Sequence, residues 1–270
     1  MPSTATLPSR YEIRPLGPEH VEWAKAIVTH SNAFGSPVWS ALYPGAAATR
    51  VGYRVFAAMD HMVEHQIASG HSLGLFDAQY QYKRAESAAA GGRLWWDMAD
   101  LEADGDALLR QMDFPLLSVA LAYDGFVPFD AARIEPVAKA LRGFGESMRA
   151  LEARDGRDPA SWKPKGPGQL LLRNATATKL DEAGKGLMKH LAHRMMRQAA
   201  EDGFRGIQIE AYHDAVRAVW ANPPAPFKGE VVSSINAWTW GEEDESGELV
   251  YLLRPSKQDC SKIYVTLKEQ

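Results

Sequence analysis

Two glycines, Gly184 and Gly186, stand between an apolar-rich run and a long amphipathic helix pattern, and this junction restricts the fold more than any other part of the chain. Gln169-Leu170-Leu171-Leu172-Arg173-Asn174-Ala175-Thr176 follows Pro167-Gly168 and predicts a strand. Leu187, Leu191, Met195 and Ala199 recur every four residues, flanked by Met188, Ala192 and Met196. They predict a helix from about Gly186 to Asp202 with one buried stripe, ended by Gly203. Ile207-Gln208-Ile209-Glu210-Ala211 predicts a second strand, and Asp214 to Ala221 a short helix closed by Asn222-Pro223-Pro224. Neither glycine carries a Cβ, so the backbone between strand and helix can turn sharply and approach a ligand closely. The loop ends at a helix N-terminus, where free N–H groups and the dipole favour an anion. Glu182, Ala183, Gly184, Lys185, Gly186 and Leu187 are therefore expected to cradle phosphate oxygens with main-chain amides. A bare Gly-x-Gly also serves as an ordinary strand–helix turn; the elements on both sides favour the cradle. The G-x-x-x-x-G-K-[ST] pattern of a P-loop is absent.

Upstream, Tyr11 to Pro15 alternates and predicts a short strand, Pro18 to His30 a helix, and Ser72 to Phe76 a strand. Residues 31–48 predict a loop whose Trp39 and Tyr43 either wall a pocket or plug the loop onto the core. Thr49 to Ser69 predicts one helix stopped by Gly70. Asp77 to Gly92 is expected to be a long hairpin connection, leading to a strand over Arg93 to Met98 with Trp95 and Trp96 on opposite sheet faces. Asp104 to Met112 predicts a short helix, whereas Pro115 to Tyr123 fits a strand or a buried helix, and periodicity does not decide. Ala131 to Arg154 predicts a helix weakened by Pro136 and Gly143, followed by a surface loop over 155–168. Glu230 to Trp240 and Cys260 to Leu267 predict the last strands, with an acidic turn at Gly241 to Gly247 between them. The whole reads as one α/β domain, 1–270, with 1–10 as an expected disordered tail.

Composition excludes several classes. A formal net charge of −4 gives no basic excess of the kind a nucleic-acid binder carries. The one cysteine, Cys260, excludes a disulfide framework and a cysteine zinc site. With no apolar leader and no membrane-length run, the expected compartment is the cytoplasm. Neither His190 with His193 nor His61 with His65 completes a metal set, and a solvated helix face is the simpler reading for the first pair. No G-x-S-x-G elbow is present.

Asp181-Glu182-Ala183-Gly184-Lys185-Gly186 is similar to the Q/R-x-x-G-x-G/A loop of the GCN5-related N-acetyltransferases, in which it binds the pyrophosphate of an acyl-coenzyme A. The next strand in that family often reads L-x-V-x-x-x-N with a tyrosine seven residues on. Here the same spacing holds Ile207, Ile209, His213 and Trp220, with Ala215, Ala218 and Phe227 close to where the family has alanine, alanine and phenylalanine. The resemblance implies the acyl-CoA N-acyltransferase (GNAT-like) fold, a mixed twisted sheet flanked by helices with splayed central strands. It places an acyl-CoA-binding core at 169–227 and an insertion or elaboration at 99–168. It implies acetyl-CoA or another short acyl-CoA as co-substrate, no metal, and an amine acceptor, more simply a small molecule than a basic tail.

The residues implied by position are Asn174 and Thr176, whose strand would pair with the pantetheine arm, and His213 and Trp220 beside the cofactor. Three departures stand out. Asp181 replaces glutamine or arginine and must either point to solvent or be offset by Lys179 or Lys185. His213 replaces asparagine, and Trp220 replaces the tyrosine that in many members protonates the departing thiolate, a role an indole cannot fill. Acyl transfer to an amine needs a base and an acid, and Glu210, Tyr212 and His213 are the candidates, with Glu210 or His213 as base and Tyr212 or His213 as acid. His71, Tyr123 and Asp124 are possible acceptor-site residues. Two other functions remain open: an acyl-CoA-binding domain that has lost its acid and serves in sensing or assembly, and acyl-CoA chemistry other than N-acylation.

Overall fold

The structure, a computed structural model, describes residues 7–268; residues 1–6 of the expected tail lie outside the described residues. Strand β1 (Tyr11–Pro15) leads through a single 3-10 turn to helix α1 (Val21–His30). Helices α2 (Ala46–Ala58) and α3 (Asp60–Ala68) follow, then β2 (Leu73–Asp77) and β3 (Leu116–Asp124). Helices α4 (Ala131–Ala140) and α5 (Phe144–Ala153) precede β4 (Leu170–Thr178). Helix α6 (Leu187–Glu201), β5 (Gly206–Ala211) and α7 (Asp214–Ala221) form the block that the glycine junction anticipates. Strands β6 (Lys228–Asn236) and β7 (Asp259–Thr266) complete the sheet.

The seven strands lie in the order β1-β2-β3-β4-β5-β7-β6. All neighbours run antiparallel except β4 and β5, which are parallel and joined by α6. A parallel pair needs such a crossover, and an amphipathic helix that lies on the sheet provides it. The stripe of α6 buries Leu187, Leu191, Met195 and Met196 against Leu117, Ala120, Leu171 and Ile207. The opposite face packs under α1, α3 and α4, with Ile27, Val63 and Val137 against Val119 and Leu121. Because helices cover both faces, β3 is buried almost throughout. A strand of this kind is apolar at nearly every residue, which is why its periodicity cannot be told from a helix.

Several expectations are corrected. The helix expected over Thr49 to Ser69 is two, α2 and α3, meeting at Met59. Residues 31–48 are largely helical, with a π turn at Ser31–Gly35 and a turn of α-helix at Trp39–Leu42. The connection after β2 carries a helix at Ala85–Ala90. The strand expected over Arg93 to Met98 is only Arg93–Leu94, paired with Met112–Asp113 outside the main sheet. Its tryptophans therefore do not flank a sheet; their indole N–H groups donate to Ser87 Oγ and the Leu108 carbonyl, both at 2.9 Å. The helix expected over Ala131 to Arg154 breaks before Gly143, whose φ of +74° lies in the left-handed region that favours glycine. The stretch 99–168 contains the central strand β3, so what is built onto the sheet rather than into it is 125–168. No helix among the described residues is long and apolar enough to cross a membrane, and none of their His, Cys, Asp and Glu side chains group as a metal site.

Candidate active site

The β4–β5 ladder runs from Leu170 opposite Gly206 to Arg173 opposite Ile209 and stops there. Beyond it β4 continues, paired only with β3, and β5 continues, paired only with β7. The cause is visible in register: Ala122 faces Arg173 and Leu121 faces Ala175, so Asn174 is an extra residue, a bulge that bends β4 away from β5. From Asn174 onward one edge of β4 offers unpaired main-chain N–H and C=O groups. A cavity of about 160 Å³ occupies the gap. Asn174 and Thr176 form one side of it, Glu210, Tyr212 and His213 the other.

At the far end of β4 the chain reaches the glycine loop. Gly184 and Gly186 have φ of +79° and +76°, and a Cβ at either would meet nothing within 4 Å, so the loop is open on its outer side. Among the described residues, none accepts a hydrogen bond from the main-chain amides of Lys185, Gly186, Leu187 and Met188. Four free amides at the foot of a fifteen-residue helix suit a diphosphate. The Glu182 carboxylate is held by Lys185 at 2.8 Å, which removes its repulsion from the cradle. Asp181 faces a separate polar recess beside Lys179, whose buried ammonium donates to the Met112 and Phe114 carbonyls at 3.0 and 2.8 Å. Burial pushes that lysine down to about 7.

A second cavity, of about 290 Å³, adjoins the first at the splay. Met62, Tyr123, Phe129 and Met148, the last from α5, give it apolar walls, while Glu152, Gln208, Glu210 and Lys262 add a polar side. The two cavities share Asn174 and Glu210, so a ligand in each would meet at the bulge. Tyr123, expected as an acceptor-site residue, lies in this wall with its ring 4.3 Å from that of Phe129; His71 lies elsewhere, edge-on to Phe204.

The three candidate acid–base residues differ in what they can do. Glu210 reaches the junction, and burial raises its carboxyl above the ordinary range, offset by the charges of Arg173 and Lys262. Tyr212 shares a hydrogen bond of 2.8 Å with the Ser147 hydroxyl and packs against Trp39. Burial raises its phenol well above the usual value, which makes it a weaker proton donor. His213 caps α7: its Nδ1 accepts from the Ala215 amide at 3.0 Å, leaving Nε2 to carry the proton. It can donate a hydrogen bond into the cavity, but its lone pair is engaged.

Trp220 departs most from expectation. It is fully buried, packed in the core under α6, and is not among the residues lining either cavity. Between it and the splay lies Arg173, with its guanidinium carbon 5.2 Å from the indole ring. Arg173 lines both cavities and was not singled out from the sequence. The available signal was its position, a lone charge in an apolar run immediately before Asn174.

No family model matches the chain, and no curated protein matches it. Solved structures do match. The C-terminal condensation domain of Ebony, solved in complex with beta-alanyl-dopamine, aligns with a TM-score of 0.61 at 14% identity, covering 94% of this chain and 97% of that one. Arylalkylamine N-acetyltransferase 2 from Aedes aegypti aligns at 0.54 and 12% identity, over 96% and 99%. The polyamine N acetyltransferase of Drosophila melanogaster aligns at 0.52 and 12%, over 95% and 99%. The chain has the acyl-CoA N-acyltransferase fold of the GCN5-related N-acetyltransferases, a mixed sheet flanked by helices with one parallel pair at its centre.

Proposed function

We propose that this chain is an acyl-CoA-dependent N-acyltransferase, with acetyl-CoA as the simplest donor and a small amine as acceptor. One observation carries the reading: the β5-facing edge of β4 is unpaired from Asn174 onward, and the chain beyond it leads to four free amides at a helix foot. A pantetheine arm can add to that edge as a strand would, and its diphosphate then falls on Lys185 to Met188. The fold neighbours that act on arylalkylamines and polyamines support an amine acceptor.

The acceptor would occupy the second cavity, its apolar body against Phe129 and Met148 and its amine toward Glu210. Glu210, directly or through a water, takes a proton from the ammonium. The freed nitrogen attacks the thioester carbon. Main-chain N–H groups of β4 near Asn174 hydrogen-bond the oxygen that gains charge. The C–S bond then breaks and the amide forms. A binding domain without turnover is the second reading, favoured by the absence of a phenol at Trp220 and the engagement of Tyr212. Thiol release from acetyl-CoA with a panel of amines separates the two, and product mass detects acyl-CoA chemistry other than N-acylation.

The cradle is tested by charge alone. Gly184→Asn and Gly184→Asp both tolerate the left-handed backbone, yet only the second places a carboxylate where the diphosphate sits. Titration calorimetry with coenzyme A is expected to show affinity at least tenfold weaker for the aspartate variant than for the asparagine variant, a difference of about 1.4 kcal/mol. Equal affinities would remove the diphosphate from this loop, and no heat with the unaltered protein would sink the whole assignment.

A further inference from the structure

Arg173 is a buried cation with no carboxylate in contact; the charge of Glu210 acts on it only from a distance. Only 3% of its surface is exposed. Among the described residues no carboxylate lies within ion-pair distance of it. Among the described residues its guanidinium makes one hydrogen bond, from Nη2 to the Glu210 carbonyl, long at 3.4 Å, and its Nε–H meets no acceptor. A buried charge with no partner in contact is costly, and burial pulls this guanidinium down to about 10 even though the charge of Glu210 raises it. The neighbouring Lys262 shows the contrast: it is equally buried, yet it is neutralised by Glu152 and Asp155. Arg173 is the last rung of the β4–β5 ladder, so it sits at the closed end of the splay, where the reacting end of a ligand added along β4 would come to rest.

An amine that attacks a thioester creates an anion. The nitrogen lone pair forms the C–N bond, and the carbonyl π pair moves to oxygen. As that pair returns, the C–S bond breaks and its electrons leave on sulfur. The acceptor nitrogen gives up two protons in all, one to Glu210 before attack and one to solvent after it, while sulfur departs as a thiolate. The charge that develops on the departing sulfur in a site shielded from water has to be met by a cation or a proton. Tyr212 is held by Ser147 and is a weakened acid, and Trp220 is out of reach in the core.

We infer that Arg173 is a catalytic residue that receives the departing coenzyme A thiolate, its free Nε–H donating to the sulfur while the Trp220 ring holds the guanidinium from behind. This rests on the acyl-CoA reading above. The thiolate takes its proton from water on release, so the arginine itself stays protonated throughout.

The test needs no acceptor substrate. Coenzyme A with a free thiol is bound to the unaltered protein, to Arg173→Lys and to Arg173→Met, with binding followed by calorimetry. The bound thiol is titrated by the ultraviolet absorbance of the thiolate. Binding to the unaltered protein is expected to raise the ionisation constant of the thiol about tenfold or more over free coenzyme A. Arg173→Met should abolish that rise with little loss of affinity for acetyl-CoA, and Arg173→Lys should keep part of it. Tight binding with an unshifted thiol in the unaltered protein overturns the inference and leaves the acyl-CoA assignment standing; that arm is independent of whether either variant folds. An unchanged shift in Arg173→Met also overturns it. So does a variant that loses succinyl-CoA but not acetyl-CoA, which would make Arg173 a reader of acyl carboxylates. No binding of coenzyme A at all defeats the assignment and the inference together.

Discussion

Glu210→Gln is expected to lower kcat/KM for the amine acceptor by about 10²–10⁴-fold, the usual worth of a positioned general base, while leaving coenzyme A affinity unchanged. The side chain stands where the two cavities meet, and no other group there combines a free lone pair with a raised carboxyl. The sign of the pH dependence follows from its surroundings. Burial raises the Glu210 carboxyl; Arg173, Lys262 and Gln208 pull it back, and Glu152 adds to the rise. The base form therefore appears only above the ordinary glutamate range, and kcat/KM should climb with pH through that raised value. The acceptor's own ammonium also gives a rising limb, but glutamine removes only the part owed to Glu210. Stability runs the other way. A carboxyl raised on folding contributes stability below its unfolded value and loses it as pH rises through the folded one. Glu210→Gln should thus be at least as stable as the parent at neutral and alkaline pH. A loss of less than threefold in kcat/KM, with an unaltered profile, would remove Glu210 from the mechanism.

The sequence exposes those parts of this site that follow from local chemistry. The α6 stripe has a period of its own, and the two glycines have a backbone conformation of their own, so the helix and the turn before it were both legible. The splay was expected only through resemblance. Its physical cause, the extra residue Asn174 in the register with β3, is a relation between strands fifty residues apart, which no single segment records. β3 was ambiguous because burial on both faces erases the alternation that would mark a strand. Trp95 and Trp96 misled because large rings suggest a sheet face, whereas here each is tied by its indole N–H to a neighbouring helix. Arg173 was passed over because one charge in an apolar run reads as an edge position. Its meaning depends on having no carboxylate in contact, and that can be known only once every carboxylate has been placed.

Lys262→Met is expected to cost about 3 kcal/mol of unfolding free energy or more, the usual consequence of removing one partner from a buried ion pair. Lys262 is 1% exposed at the centre of β7, and its ammonium meets the Asp155 carboxylate at 3.0 Å and that of Glu152. Glu152 keeps a second cation in Lys163, at 3.4 Å. Asp155 keeps only Arg157, and its side chain is 2% exposed, so the change leaves a desolvated carboxylate half-neutralised. Arg157 and Lys262 together hold Asp155 well below the usual carboxylate range. A depressed carboxyl contributes stability above its unfolded pKa and loses it as pH falls through the folded one. The gap between parent and variant should therefore be widest near neutrality and shrink in acid, as urea melts at several pH values would reveal. The same pair anchors the end of α5 to the sheet, and α5 carries Met148 into the acceptor wall. Coenzyme A affinity, set by β4 and the glycine loop, should be unaffected, while KM for the acceptor rises. Lys262→Met with Asp155→Leu removes both charges and should recover most of the stability, because the cost lies in the stranded carboxylate rather than in the lost pair. A single variant within about 1 kcal/mol of the parent, or a double variant less stable than the single one, would show that Asp155 finds its compensation elsewhere and that the acceptor wall is held by packing alone.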